Sequence, residues 1–284
     1  MSDGSNKNQE VLEKECPEST KEERYRFLET GNDRLALKKL RLHLEWRNRY
    51  HLDDETKPDA SHSTSTTTND ENSDATNTII SEDERNWNSA AIAAMTESSD
   101  YENSEYPKLP RLARFDDVAG NDKMLGKDGN RIVQVFPVMM DPALGSEATY
   151  ALATAFYLDR SFSRSSTEQV TVCVDVRGGD GWANPPAMSV LSFIKSLVGT
   201  TDLHFPERLA LCIVYPVSFT ANTIWRMIRP FLDPKTATKM AIMRGPGCRD
   251  SPIPYDKMAQ YIEKDVLDQM EENRLSTIVE EVKE

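Results

Sequence analysis

Between residues 131 and 243 the chain repeats one pattern, a short and strongly apolar run followed by a longer stretch with helical spacing. The apolar runs fall at 131–139, 170–176, 209–215 and 239–243, and the helical stretches at 147–159, 186–198 and 220–232. A strand that is apolar throughout, rather than at every second residue, belongs to a sheet covered on at least one face. Parallel neighbours need crossovers long enough to hold a helix. The pattern therefore predicts an α/β fold with a mostly parallel sheet flanked by helices.

The rest of the chain differs in composition. Residues 1–19 are predicted to be disordered. Residues 20–52 read as a small helical domain, in which Leu35, Leu37, Leu40, Leu42, Leu44 and Trp46 alternate with Lys38, Lys39, Arg41, Arg47 and Arg49. Residues 53–108 form an acidic, Ser/Thr-rich insert, with a net charge of about −12 over 53–105, expected to be largely disordered because so few apolar side chains cannot repay the entropy of ordering. Within it Ile80, Trp87, Ile92 and Met95 give the stretch 79–95 the makings of one docked helix. The sheet domain is assigned to 109–267, and 268–284 to a charged helix or tail.

Several function classes are excluded by what these residues lack. A formal charge of −13 leaves no general surplus of Lys and Arg to neutralise nucleic-acid phosphates. His43, His51, His62 and His204 are scattered, and none shares metal-ligand spacing with a Cys, Asp or Glu. No G-x-S-x-G elbow occurs. Five residues, not four, separate Gly120 from Gly126, and Asp128 stands where a phosphate loop needs Ser or Thr, so Lys127, Asp128, Gly129 and Asn130 read as a turn before a strand. The glycines after Arg177 lack dinucleotide-loop spacing and read as a loop needing positive φ. The four cysteines form no C-x-x-C pair and read as reduced and structural. The longest nearly apolar run, 209–217, is far short of the roughly 20 residues that cross a bilayer. The expectation is a cytoplasmic protein without catalytic residues, metal or cofactor, peripheral and transient at membranes.

A specific order of motifs occupies the second half. Pro206, Glu207, Arg208 and Leu209 lead into an apolar strand ending at Tyr215 and Pro216. Phe219 and Trp225 follow, then Arg229, Pro230, Phe231, Leu232, Asp233, Pro234 and Lys235, and finally Thr236, Ala237, Thr238, Lys239 and Met240. This order resembles the CRAL-TRIO lipid-binding family, in its phosphatidylinositol/phosphatidylcholine transfer branch. The resemblance extends upstream to the strand ending at Val176 and the turn at Gly129. Arg26, Phe27 and Leu28 with His43 to Arg47 are similar to the small helical domain that precedes the lipid fold in that family.

The resemblance implies an apolar pocket holding one phospholipid beneath a mobile gate helix that opens at a membrane. The gate falls on residues 220–232, where Ile224, Met227, Ile228 and Phe231 follow helical spacing and Trp225 and Leu232 widen the apolar surface. Such a helix can face a core, a lipid or a bilayer. Arg226 and Arg229, with no acid between residues 220 and 232, suit an anionic membrane surface; the bland reading makes them solvated arginines on a core helix. By resemblance Glu207, Thr236 and Lys239 hold an inositol phosphate headgroup, and the alternative is a structural ion pair between Glu207 and Lys239. Two departures stand out. The basic pair that relatives place after Arg-Phe-Leu falls on uncharged Gly31 and Asn32, with Arg34 nearby as a substitute, and the family's Gly-Gly ending is replaced by a charged helix continuing through Met270, Glu271, Glu272 and Asn273. The sequence thus implies a phospholipid ligand, with phosphatidylinositol as one candidate, bound and transferred or presented between membranes. The alternative is an adaptor that uses a degenerate lipid fold to bind a protein partner.

Overall fold

The computed structural model describes residues 3–49, 109–110, 112–115, 124–179, 187–217, 226 and 228–280. Three helices come first: α1 (Asp3–Glu15), α2 (Lys21–Leu28) and α3 (Asp33–Arg49). The sheet and its crossovers follow as β1 (Ala113–Arg114), β2 (Arg131–Val135), α4 (Glu147–Ser161), β3 (Val170–Asp175), α5 (Ala187–His204), β4 (Leu209–Val217), α6 (Pro234–Thr238) and β5 (Met240–Arg244). Short α7 (Tyr255–Met258) and long α8 (Lys264–Glu280) close the described chain. Short 3-10 turns lie at Pro137–Met139 and Arg229–Phe231.

The strands form one sheet in the order β1-β2-β3-β4-β5, with β1 antiparallel to β2 and all other pairs parallel. Residues opposite one another across neighbouring strands share a face. One face carries two rows without a charged or hydrogen-bonding side chain other than a thiol: Val133, Val172, Cys212 and Met240, then Val135, Val174, Val214 and Ile242. Tyr157 and Leu158 of α4 pack on its β2–β3 side together with Phe115, Phe162 and Phe205. The other face, through Ile132, Cys173, Ile213, Tyr215 and Met243, is sealed by Met258, Ile262, Leu267 and Met270 from α7 and α8.

Two expectations are corrected. Residues 1–19 contain α1, whose Leu12, with the following Cys16, is buried against Phe27, Ala36, Leu40 and Leu44. Two apolar side chains one turn apart among Asn, Lys and Glu are too few to register as a periodic pattern, yet they fill the gap between α2 and α3. Nor does the sheet domain stop at 267. Helix α8 begins at Lys264 and runs to Glu280, a helix as one of the two expected alternatives had it, and its buried Leu267, Met270, Arg274 and Ile278 make it part of the core. The stretch 79–95 lies outside the described residues.

The turn at Lys127 to Asn130 is present. Gly129 has φ +79°, Gly126 N–H donates to Asn130 O at 2.8 Å, and Asn130 N–H donates to Asp128 Oδ1 at 3.1 Å.

The helical unit is held to the sheet domain by a polar and aromatic seam. Thr20 and Glu23 form a capping box at the start of α2. The Glu23 carboxylate also accepts from Arg164 Nε at 2.7 Å and Nη2 at 2.9 Å, in the loop between α4 and β3. Trp46 of α3 stacks on His204 at a centroid distance of 4.2 Å and on Phe156 at 5.7 Å. Arg47 pairs with Asp159, and Lys39 Nζ lies 2.6 Å from Asp202 Oδ2.

Candidate functional site

The apolar face of the sheet is closed unevenly, and this asymmetry defines the site. On the β2 side Val133 is 1 % exposed and Val135 6 %, under the aromatic cover of Phe115 and Phe162. Toward β4 and β5 the second row opens, leaving Val174, Val214 and Ile242 half-buried; in the first row Cys212 stays buried and Met240 on the edge strand is half-buried. Aliphatic side chains on interior parallel strands, such as Val174 and Val214, are normally sealed, because exposing them forfeits about 25 cal/mol per Å², while Met240 and Ile242 lie on the edge strand β5. A half-open strip of them is a surface suited to an apolar ligand.

A polar group stands at the start of β4 and β5, next to this strip. Glu207 precedes β4 with φ 61°, a left-handed backbone uncommon outside glycine. Its backbone carbonyl accepts from Gln169 Nε2 at 2.8 Å. Its carboxylate reaches two lysines: Lys235 Nζ donates to Oε1 at 2.7 Å, and Lys239 Nζ lies 3.8 Å from Oε2. Lys239 Nζ also donates to Leu209 O at 2.6 Å. The hydrogen bond to Glu207 holds the Lys235 ammonium charged to higher pH than usual; burial works weakly against it, and Glu207, Glu29 and Asp233 add their charges in its favour.

Helix α6 carries this lysine because Asp233 caps it. Asp233 Oδ1 accepts from Thr236 N–H at 2.9 Å, and Pro234 fills the first helical turn, where its missing N–H costs nothing. Burial tends to raise the Asp233 carboxyl, but its hydrogen bonds to Thr236 outweigh this and leave it lowered.

Of the three headgroup residues named from sequence, Glu207 and Lys239 meet in one cluster. Thr236 sits on α6 between the two lysines, half-buried, with its backbone N–H engaged by the cap. Lys235 was missed. Its signal was available in the spacing, since two lysines four apart at a helix end fall on one side of that helix. Of the gate residues, Ile224, Trp225 and Met227 lie outside the described residues, as do most of 220–232, and the Phe231 side chain is likewise not described. Ile228 is buried, Leu232 half-buried, and Arg226 and Arg229 exposed.

The other end of the strands is occupied by the protein itself. Ligands of open α/β sheets commonly sit beyond the carboxyl ends of the strands. Here Arg177 fills that place. Its Nε donates to Asp175 Oδ1 at 3.0 Å, Nη2 to Asp175 Oδ2 at 2.6 Å and to Glu271 Oε2 at 2.5 Å, and Nη1 to Ser251 O at 2.7 Å. Arg274 of α8 adds a 3.3 Å contact to Asp175 and donates to Gly178 O at 2.8 Å. Burial disfavours the Arg177 charge, but Asp175 and Glu271 overcome that and fix it as a cation. Burial alone pushes the Cys212 thiol up to about 12, and burial is the main cause of the raised Cys173 thiol. Both are inert apolar fillers of the strands. Among the described residues no group of three or more His, Cys, Asp and Glu is placed to hold a metal, and no helix is long and apolar enough to cross a membrane.

A mostly parallel sheet with one half-open apolar face and a lysine–glutamate cluster at its rim is the arrangement of a lipid-binding domain. The CRAL/TRIO domain family model matches residues 123–270, and the chain belongs to that family. It is similar to a CRAL-TRIO domain-containing protein of Saccharomyces cerevisiae, 35% identical over 57 residues, covering 20% of this chain and 18% of that protein. It is also similar to the SEC14 cytosolic factor of Candida glabrata, 30% identical over 81 residues, covering 28% of this chain and 27% of that one. Each match thus spans less than a third of the curated relative. The crystal structure of Sfh5 superimposes with a TM-score of 0.46 at 13% identity, covering 85% of this chain and 67% of that one.

Proposed function

We propose that the protein binds a single phospholipid in an apolar pocket over the β4–β5 side of its sheet and transfers or presents it between membranes. The observation that carries this reading is the uneven closure of one apolar face, sealed at Val133 and Val135 and open at Val174, Val214, Met240 and Ile242. Acyl chains occupy the open strip, and Glu207, Thr236 and Lys239 meet the headgroup at its rim. The chain between β4 and β5 carries the gate, with Ile224, Trp225, Met227, Ile228, Phe231 and Leu232 toward the lipid and Arg226 and Arg229 toward an anionic surface. Helices α2 and α3 brace the lipid domain from outside, and the protein is cytoplasmic and visits membranes transiently.

Native mass spectrometry of the purified protein, followed by organic extraction and lipid identification, tests the reading. One phospholipid per chain is the expected result. A protein that carries no lipid and takes none from phosphatidylcholine/phosphatidylinositol vesicles would overturn it.

A further inference from the structure

We infer that the exposed face of α3, basic and bearing two open leucines, is a docking surface for residues 79–95 of the chain's own acidic insert. The inference is independent of the lipid-binding reading. It concerns the side of α3 that faces away from the seam with the sheet domain.

Helix α3 buries Ala36, Leu40, His43, Leu44 and Arg47 along one side. The other side carries Arg34, Leu35, Lys38, Leu42, Glu45 and Arg49, all exposed, at spacings that keep them within one arc of the helix. Leu35 is 42 % exposed and Leu42 38 %, and Lys38 lies between them. Arg41 at the edge of the arc is paired with Glu15 of α1. Arg34, Lys38 and Arg49 have no ion-pair partner among the described residues, and Glu45 is the one acid among them on this arc. Three uncommitted cations thus surround two open leucines, on a chain whose formal charge is −13.

Charge, attachment and length together select the occupant. The insert follows α3 directly, and residues 53–105 carry a net charge of about −12. Within it, Ile80, Trp87, Ala91 and Met95 recur at helical spacing, with Glu82, Asp83 and Glu84 beside them. Apolar side chains flanked by acids complement leucines flanked by cations. Residues 50–78 join this stretch to Arg49, and a chain of about 30 residues has an r.m.s. span of about 30 Å. The face from Arg34 to Arg49 is about 22 Å long, so the stretch can lie anywhere along it.

Both ends of the insert start beside this face. Trp46 of α3 stacks on Phe156 of α4, and Leu109, where the described chain resumes after α3, shares a core cluster with Tyr150 and Ala151 of that same helix. A segment tethered at both ends so close to α3 meets it at a local concentration of about millimolar. An anionic membrane is attracted to the same cations, but it must approach against the charge of the insert attached next to Arg49. The cis occupant is therefore favoured over the bilayer.

Hydrogen–deuterium exchange of the full chain, read at peptides covering 79–95, tests this, with thermal midpoints as the folding control. Arg34→Glu, Lys38→Glu and Arg49→Glu are combined in one variant, and because all three side chains are exposed its midpoint is expected to hold. Exchange in 79–95 is expected to be about tenfold faster there than in the unaltered chain, the size of a few exposed ion pairs acting together. Adding Glu82→Lys, Asp83→Lys and Glu84→Lys is expected to restore the slower rate. Zero-length carbodiimide cross-linking of the unaltered chain gives a readout free of any folding defect, with links expected from Lys38 to Glu82, Asp83 or Glu84; links from Lys38 to other regions alone would overturn the inference. So would exchange of 79–95 in the unaltered chain at the rate of a free peptide, and protection indifferent to the charge reversal would remove α3 as the seat. Protection that appears only as protein concentration rises would give the face to a second copy. Binding to phosphatidylserine vesicles that the charge reversal abolishes, with 79–95 unprotected, would give it to a membrane, and either result rejects the cis contact.

Discussion

Glu23 and Arg164 are joined by two hydrogen bonds of 2.7 and 2.9 Å across 141 residues of sequence, tying the cap of α2 to the loop before β3. The Glu23 side chain is only 1 % exposed, so its charge depends on this partner. Burial tends to raise its carboxyl, but hydrogen bonds from His43, Arg164 and Thr20 reverse that and hold it far below the usual carboxylate range.

Glu23→Ala is therefore expected to cost about 3 kcal/mol, because Arg164 loses its counter-ion and α2 loses half of its capping box. The urea midpoint measures this. A loss under about 0.5 kcal/mol would mean the seam does not contribute to stability.

The same seam is acid-labile. Burial, with a smaller contribution from His43, lowers the His204 imidazole to about 3, and burial lowers His43 although Glu23 pulls it upward. Both rings are neutral when folded, and in an unfolded chain they bind a proton near the ordinary value of 6.5. Folding must then expel those protons, so stability is complete above pH 6.5 and falls as pH drops through the interval down to about 3 for His204. Glu23, with its lowered carboxyl, adds a loss of the same sign below pH 4.5. His204→Phe keeps a ring against Trp46 and removes one titrating group. Its urea midpoint is expected to vary less between pH 7 and 5 than that of the unaltered protein, and equal slopes would refute the assignment.

The sheet was legible because its strands are continuous apolar runs, and the errors fall where local chemistry interrupts a pattern. The run 131–139 reads as one strand, yet β2 ends at Val135 because Pro137, lacking an N–H, opens a 3-10 turn. The run 186–198 reads as stopping before Gly199, Thr200 and Thr201. Helix α5 instead continues to His204, since both threonine hydroxyls donate back to Ser196 O and Leu197 O and so satisfy themselves within it. Two-residue β1 is too short for any period to show. At the candidate site, the motif order pointed to Glu207 and Lys239. Lys235 stood in the same motif, four residues before Lys239, and was passed over because a lysine beside a proline looks like any solvated charge; the fold brings Glu207 to it.

Arg177→Met tests the closure at the carboxyl end of β3. It leaves Asp175, 1 % exposed, with the backbone N–H of residue 177 at 3.0 Å and the longer contact to Arg274, and removes a neighbour of Glu271. Breaking a buried pair from one side costs about 3–5 kcal/mol, which for a chain of this size lowers the thermal midpoint by roughly 10 °C. The double change Arg177→Met with Asp175→Asn is expected to recover part of that loss. Calorimetry of the three variants provides the check, and a single change that leaves the midpoint in place would show the network to be dispensable.

Lys239→Ala is expected to abolish transfer of phosphatidylinositol between vesicles with the fold intact. Its ammonium bonds to Leu209 O, at the half-buried start of β4, and loosely to Glu207, so little stability is lost. Transfer kinetics equal to those of the unaltered protein would remove Lys239 from the headgroup site.

Val214→Trp distinguishes a ligand surface from a merely imperfect core. In a sealed core the larger side chain forces off-rotamer neighbours and costs about 1–3 kcal/mol. Val214 is half-buried, opposite Val174 on one side and Ile242 on the other, so an indole there can spread over the open strip and cover apolar surface that is now exposed. The expected outcome is a thermal midpoint unchanged or raised, together with a loss of about tenfold in phospholipid capture, because the indole occupies the volume that acyl chains require. Capture that survives the substitution would place the chains elsewhere in the fold. A collapse of stability would show that the strip is closed in solution, with no room for a ligand.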